Sequence, residues 1–189
     1  MRALSAQLDA WAIEQVYSRL VIDCNRPLAS PTLMPAVSDG TTVGANMAIA
    51  AEARQARINA IHAPYHAAIA SELDRRDAAG QRAVLILLHS FTPVMNGFVR
   101  PWHCGVLYNR DTRLAHRLLH LLQAEGDLVV GDNQPYSISD DSDYAANVHA
   151  EGRGLPYVEI EIRQDLIADA AGQAVWAARL ARLLPALLD

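Results

Sequence analysis

The stretch Ala83-Val-Leu-Ile-Leu-Leu-His-Ser-Phe-Thr-Pro-Val-Met-Asn-Gly97 decides how this chain is read. Six apolar residues, Ala83 to Leu88, run straight into His89, Ser90, Phe91, Thr92 and Pro93. A continuous apolar run bounded by polar and turn-forming residues predicts a central strand of a sheet covered on both faces. Ligands of such sheets collect beyond the carboxyl ends of the strands. His89 therefore stands where chemistry is usually mounted.

Upstream, residues 47 to 79 are Ala-rich with helical periodicity. Two helices are expected there, broken at His62-Ala-Pro-Tyr-His66, because Pro64 lacks an amide proton and disfavours helix in the residue before it. Gly80 then acts as a C-cap. A long Pro, Ser, Thr and Gly-rich loop spans Pro27 to Gly44. Before it, Gln15 to Asn25 reads as a β-branched, partly alternating strand. The first helix carries Leu4, Leu8 and Trp11 on one side, with no cap before it.

Downstream, an irregular polar and aromatic loop leads to a helix of about fifteen residues from Arg110 to Gly126. A short strand around Val129 and Val130 runs into a turn, and Leu155 to Asp165 is a further strand. A terminal amphipathic helix carries Val175, Trp176, Leu180, Leu183 and Leu184. This alternation predicts a three-layer α/β/α domain with a mainly parallel mixed sheet. Internal repeats and low-complexity tracts are absent from the sequence.

The bulk properties narrow the function classes. With 189 residues, 51% of them hydrophobic, the chain has the size of one domain with a sizeable core. A net charge of -5 gives no basic field for nucleic acid. No apolar run approaches the roughly 20 residues that span a bilayer, and the N-terminus lacks the order of a secretory signal. The expectation is a soluble cytoplasmic protein without nucleic-acid or membrane partners. Cys24 and Cys104 are too few for a disulfide framework and read as reduced thiols.

Strand ends and the loops after them gather a small polar set: Asp23, Asn25 and Arg26; His89, Ser90, Arg100 and His103; Asn133 and Tyr136; Glu159, Glu161, Arg163 and Asp165. In Val158-Glu-Ile-Glu-Ile-Arg163, alternation puts Glu159, Glu161 and Arg163 on one face and Ile160 and Ile162 on the other. Each residue also has a structural reading. His89 can be a hydrogen-bonded core histidine. Glu159 can pair with an arginine, and Glu161 with Arg163 can form a sheet-edge ion pair. Asn25 and Arg26 can cap the long loop, and Tyr65 and His66 can pack the helix break.

Taken together, "SRLVIDCNRP" (18–27), "IHAPYH" (61–66), "HSFTPVMNGFVRPW" (89–102), "GVLYNRDTRL" (105–114), "GDNQPYS" (131–137) and "LPYVEIEIRQDLI" (155–167) resemble the N-formylglutamate amidohydrolase family. Through it the chain is similar to zinc carboxypeptidases, with "VIDCNRP", "LLHSFTP" and "EIEIRQD" looking like three of their active-site strands. The resemblance implies a zinc-peptidase (phosphorylase/hydrolase-like) fold. It also implies a zinc-dependent amidohydrolase releasing formate and L-glutamate from N-formyl-L-glutamate or a similar N-acyl amino acid, an activity of histidine degradation. It makes His89 a zinc ligand, Glu161 the general base that activates the attacking water, and Asn25 with Arg26 the clamp on the substrate carboxylate. Arg100 becomes the candidate for a second carboxylate or the oxyanion, with Asn133 and Tyr136 as further substrate contacts.

In the resembled family the first two zinc ligands come from a segment that lies upstream of residue 1 here. The expectation is thus one domain, 1–189, lacking the family's N-terminal strand and metal-binding segment, with His62, His66, His103 and His149 as the histidines left to substitute. A strand left without its neighbour exposes unpaired amides and carbonyls, which predicts self-association into a homo-oligomer. Two functional readings follow: a zinc amidohydrolase, or a truncated relative that keeps a carboxylate-binding pocket without metal catalysis.

Overall fold

The computed structural model describes residues 1–188. Helix α1 (Arg2–Leu8) is closed by Asp9 in the left-handed region. Leu4 is buried on it, whereas Trp11 lies beyond the helix end and is exposed, so the apolar stripe is one turn shorter than its spacing predicts. A small hairpin, β1 (Val37–Ser38) and β2 (Thr41–Thr42), sits within the long loop. Helix α2 (Ala51–Arg57) passes through a π-helical turn, Ile58–His62, into α3 (Ala63–Ala78). The interruption expected at Pro64 is this π turn. Proline falls in the first turn of α3, where its missing donor costs little. Gly80, at φ +64°, ends the segment as expected.

Strand β3 (Leu85–Phe91) follows, then a second hairpin of β4 (Val94–Met95) and β5 (Phe98–Val99), β6 (Cys104–Leu107), α4 (Arg113–Ala124) and β7 (Val130–Asp132). A second π-helical turn covers Ala146–Ala150, before β8 (Tyr157–Arg163) and α5 (Ala170–Leu183). The Asp169 side chain caps α5 by accepting the Gly172 N–H at 2.8 Å. Its buried stripe is Trp176, Ala177, Leu180 and Leu183; Val175, expected on it, is exposed. Among the described residues, no helix is long and apolar enough to cross a membrane.

The chain divides into two compact units: residues 1–12, 84–138 and 156 onward; and residues 13–83 with 139–155. The first unit is a four-stranded mixed α/β sheet in the order β3-β8-β6-β7. β3 runs parallel to β8, β6 parallel to β7, and β8 antiparallel to β6. One sheet face and helices α1, α4 and α5 share a core that includes Leu4, Val106, Leu118, Val158, Ile160, Ile162, Trp176 and Leu180. The apolar run of β3 predicts a central strand, but β3 is terminal in this sheet and half-buried along most of its length, while β8 occupies the middle and is buried almost throughout. Apolar composition reports burial on two faces; it carries no information about how many neighbours a strand pairs with.

Gly105 on β6 stands opposite Glu161 on β8, on the sheet face turned away from this core. The Gln134 carbonyl crosses directly above it: a Cβ on Gly105 would lie 1.9 Å from that oxygen, and one on neighbouring Gly131 would lie 2.7 Å from it. Gly105→Ala is therefore expected to destabilise the protein by about 1–3 kcal/mol, lowering Tm by about 2–4 °C per kcal/mol for a chain of this size. Unchanged thermal and denaturant unfolding would show that the loop at Gln134 is free to lift.

In the second unit, Ile22, Leu33, Met34 and Ile58 form a separate small core. The segment expected as a strand around Val21 to Asn25 is a chain of turns. Val21 N–H donates to Ser18 C=O and Arg26 N–H to Asp23 C=O, while Asp23 N–H reaches Leu33 C=O and the Val21 and Cys24 carbonyls accept from Arg57 and His66, so its backbone groups go to turns, one loop contact and side chains rather than to a ladder.

Candidate active site

The parallel register of β3 and β8 sets His89 beside Glu161 and Leu87 beside Glu159. Because side chains alternate along each strand, His89, Glu159 and Glu161 share one face, while Ile160 and Ile162 enter the helical core on the other. His89 Nε2 lies 4.0 Å from Glu159 Oε2. One ligand atom from each of His89, Glu159 and Glu161 lies within 4.8 Å of both others. The two carboxylate residues are 2% and 6% exposed, and the His89 side chain is half-buried. An imidazole next to two buried carboxylates is a donor set suited to a divalent cation, and taking two such charges from water is costly without a counter-charge.

Arg163, the other charged residue on this face, turns away to Asp165, with bonds of 2.8 and 3.1 Å, and to the Trp102 carbonyl. Arg100 and Tyr136 are brought together: the buried Arg100 guanidinium sits 4.9 Å from the Tyr136 ring centre and 5.7 Å from that of Phe91, and donates to the Thr92 carbonyl and to Met95 Sδ. Asn133 has a turn-building position. At φ 48° it accepts the Tyr108 N–H on its side chain and donates its own N–H to Val106. His103 Nδ1 accepts the Val129 N–H at 2.8 Å.

Asn25 and Arg26 belong to the second unit. Asn25 Oδ1 accepts the N–H groups of Tyr144 and Ala145, and its amide donates to Asp143 at 3.0 Å, fastening the turn that leads into the second π-helical segment. Arg26 donates to the Ser142 carbonyl and lies 3.7 Å from Asp143 and 3.9 Å from Asp23.

The same unit holds an imidazole cluster. His62 and His66, one turn apart, reach back to the Arg26 and Cys24 carbonyls at 3.1 and 2.7 Å, and His66 Nδ1 meets His149 Nε2 at 2.9 Å. Tyr144 packs against His62 and His66 with ring centres 5.2 and 4.4 Å away. Burial holds all three histidines below the usual imidazole range, His66 down to about 4, where the neighbouring imidazoles lower it further; Arg153 also lowers His149.

These histidines stay neutral in the folded protein at pH values where an unfolded imidazole, titrating near 6.5, is already protonated. Their contribution to stability is therefore complete above about pH 6.5 and is lost as the pH falls towards 4, by up to about 1.4 kcal/mol per pH unit for each extra proton the unfolded chain binds. Thermal unfolding between pH 7 and 4 measures this, and His66→Gln should flatten the slope.

The i, i+4 spacing of His62 and His66 was a visible signal for this cluster; the partnership with His149, 83 residues away, was not. Glu159 is the residue that sequence reasoning left as an ion-pair partner, although the alternation that placed Glu161 already put Glu159 on its face.

The model of the N-formylglutamate amidohydrolase family matches residues 1–168. The chain belongs to this family. It is thereby one of the hydrolases acting on C–N amide bonds. No curated protein sequence matches the chain. Among solved structures, this family member is 39% identical to a gene product of Agrobacterium tumefaciens, with a TM-score of 0.92 over 99% of this chain and 74% of that one. The N-formylglutamate amidohydrolase of Ralstonia eutropha JMP134 shares the fold, with 21% identity and a TM-score of 0.51 over 70% of this chain and 53% of its own.

Proposed function

We propose that this amidohydrolase-family member is zinc-dependent and cleaves N-formyl-L-glutamate, or a similar N-acyl amino acid, to formate and L-glutamate. The observation that carries the reading is the convergence of His89, Glu159 and Glu161 on one sheet face. Tetrahedral ligands of one zinc ion, each at about 2.0–2.1 Å, lie about 3.4 Å apart, and His89 Nε2 and Glu159 Oε2, at 4.0 Å, need to close by only a few tenths of an ångström to reach that spacing. His89 and Glu159 are the proposed holders of the ion, with Glu161 beside them. A bound zinc ion supplies Lewis acidity, polarising a carbonyl and making water a competent nucleophile near neutral pH.

Glu161 is the proton carrier. Its carboxylate takes the proton of the attacking water and returns it to the departing amine nitrogen. Substrate carboxylates call for guanidinium forks, which bind them through two parallel bonds. Arg100 is the candidate within the first unit, its plane stacked on Tyr136; Arg26, on the turn fastened by Asn25, offers the same group in the second.

Elemental analysis of the purified protein tests the reading. About one zinc per chain is expected, and His89→Ala should lose it. Absence of metal from both proteins, with N-formyl-L-glutamate or L-glutamate still raising Tm, would favour a carboxylate-binding domain without metal catalysis.

A further inference from the structure

The buried imidazoles of the second unit fix one another's protons. A backbone carbonyl can only accept, so the 2.7 Å contact between His66 Nε2 and Cys24 C=O places a hydrogen on that nitrogen. Neutral His66 then has a lone pair on Nδ1, so the 2.9 Å contact there is a donation from His149 Nε2–H. Neutral His149 in turn has its lone pair on Nδ1. His149 is 3% exposed, and its Nδ1 is a buried side-chain nitrogen with no hydrogen-bond partner.

The relay is therefore directional: Cys24 C=O accepts from His66, His66 accepts from His149, and His149 ends in an unprotonated nitrogen. Its backbone support is unusual at both ends. His149 lies inside one π-helical turn, and the other runs directly into the α3 turn that carries His66. Such turns are rare and often mark functional positions.

We propose that His149 is a proton-accepting residue of this protein, with His66 as the positioning residue that locks its tautomer and leaves Nδ1 to receive a proton from an N–H or O–H donor. The proton arrives on His149 Nδ1, the donor is left with the electron pair, and the positive charge rests on an imidazolium whose Nε2–H still donates to His66. Protonating His66 first would instead break the bond between the rings.

The groups around the pair are His62 and Tyr65 on the helical segment of His66, Asp23, Cys24 and Arg26 on the turn, Tyr144, and Arg153 beyond His149. Arg153 places positive charge near His149. That disfavours a metal cation or an ammonium group there and favours an acidic O–H donor, such as a carboxylic acid group, which can yield its proton to an imidazole.

Nitrogen-15 NMR of histidine-labelled protein decides the assignment on the wild type. Both His66 and His149 should show the Nε2–H tautomer at pH 7, and on acidification the His149 Nδ1 resonance should move before either nitrogen of His66. A hydrogen on His149 Nδ1 at neutral pH, or His66 titrating first, overturns the proposal. His66→Gln, if folded, should leave His149 as a mixture of tautomers. A His149 that keeps a single tautomer in that variant would overturn His66 as its positioning residue.

Discussion

Glu161→Gln is expected to lower hydrolysis of N-formyl-L-glutamate by about 10²–10⁴-fold, the usual worth of a positioned acid–base group, with KM little changed. Glutamine matches the carboxylate in shape and still accepts hydrogen bonds, but it cannot take a proton from water and return it to an amine. The backbone around it will hold, because β8 is paired on both sides, with His89 beside Glu161 on β3 and Gly105 opposite it on β6. A steady-state comparison at constant zinc content measures the effect. Turnover that survives the substitution would remove Glu161 from the role of base and make Glu159 the first replacement.

Glu159→Gln should give a different failure. If His89 and Glu159 hold the ion, the amide weakens zinc binding by more than the 10–100-fold usually lost with an outer-shell partner, and activity falls because the metal is gone. Added zinc should then restore part of the activity to Glu159→Gln and none to Glu161→Gln. Competition against a chelator of known affinity reads the binding change directly. Unaltered zinc affinity in Glu159→Gln, together with lost affinity in Glu161→Gln, would exchange the two roles.

The clustering of the candidate residues was more legible in the sequence than the fold around them. Two patterns sufficed to nominate His89 and Glu161: an apolar run ending in histidine, and a strict alternation of acid and isoleucine. Both are local, and the parallel pairing of β3 with β8 turns them into neighbours. What stayed hidden depends on partners distant in sequence. The terminal place of β3 is a matter of sheet order. The turns around Asp23 carry strand-like residues, but no strand of the described residues pairs with them. Trp11 and Val175 fit apolar stripes on spacing alone, and both are exposed because the first helix ends early and the face of α5 turned to the core is narrower than its composition. Asn25 and Asn133 read as binding residues, and each serves as a fastening for a turn.

The three donors do not ride on equally firm supports. Glu159 and Glu161 stand on the middle strand, whose amides must break pairing on both sides to open, whereas His89 stands on a strand that pairs with β8 alone in its sheet and has a half-buried side chain. Local opening follows such differences in pairing and burial. The cluster thus has a rigid acidic half and a pliable imidazole half, so amide hydrogen exchange will run faster along β3 than along β8, and an ion seated there would come and go through the loosening of His89.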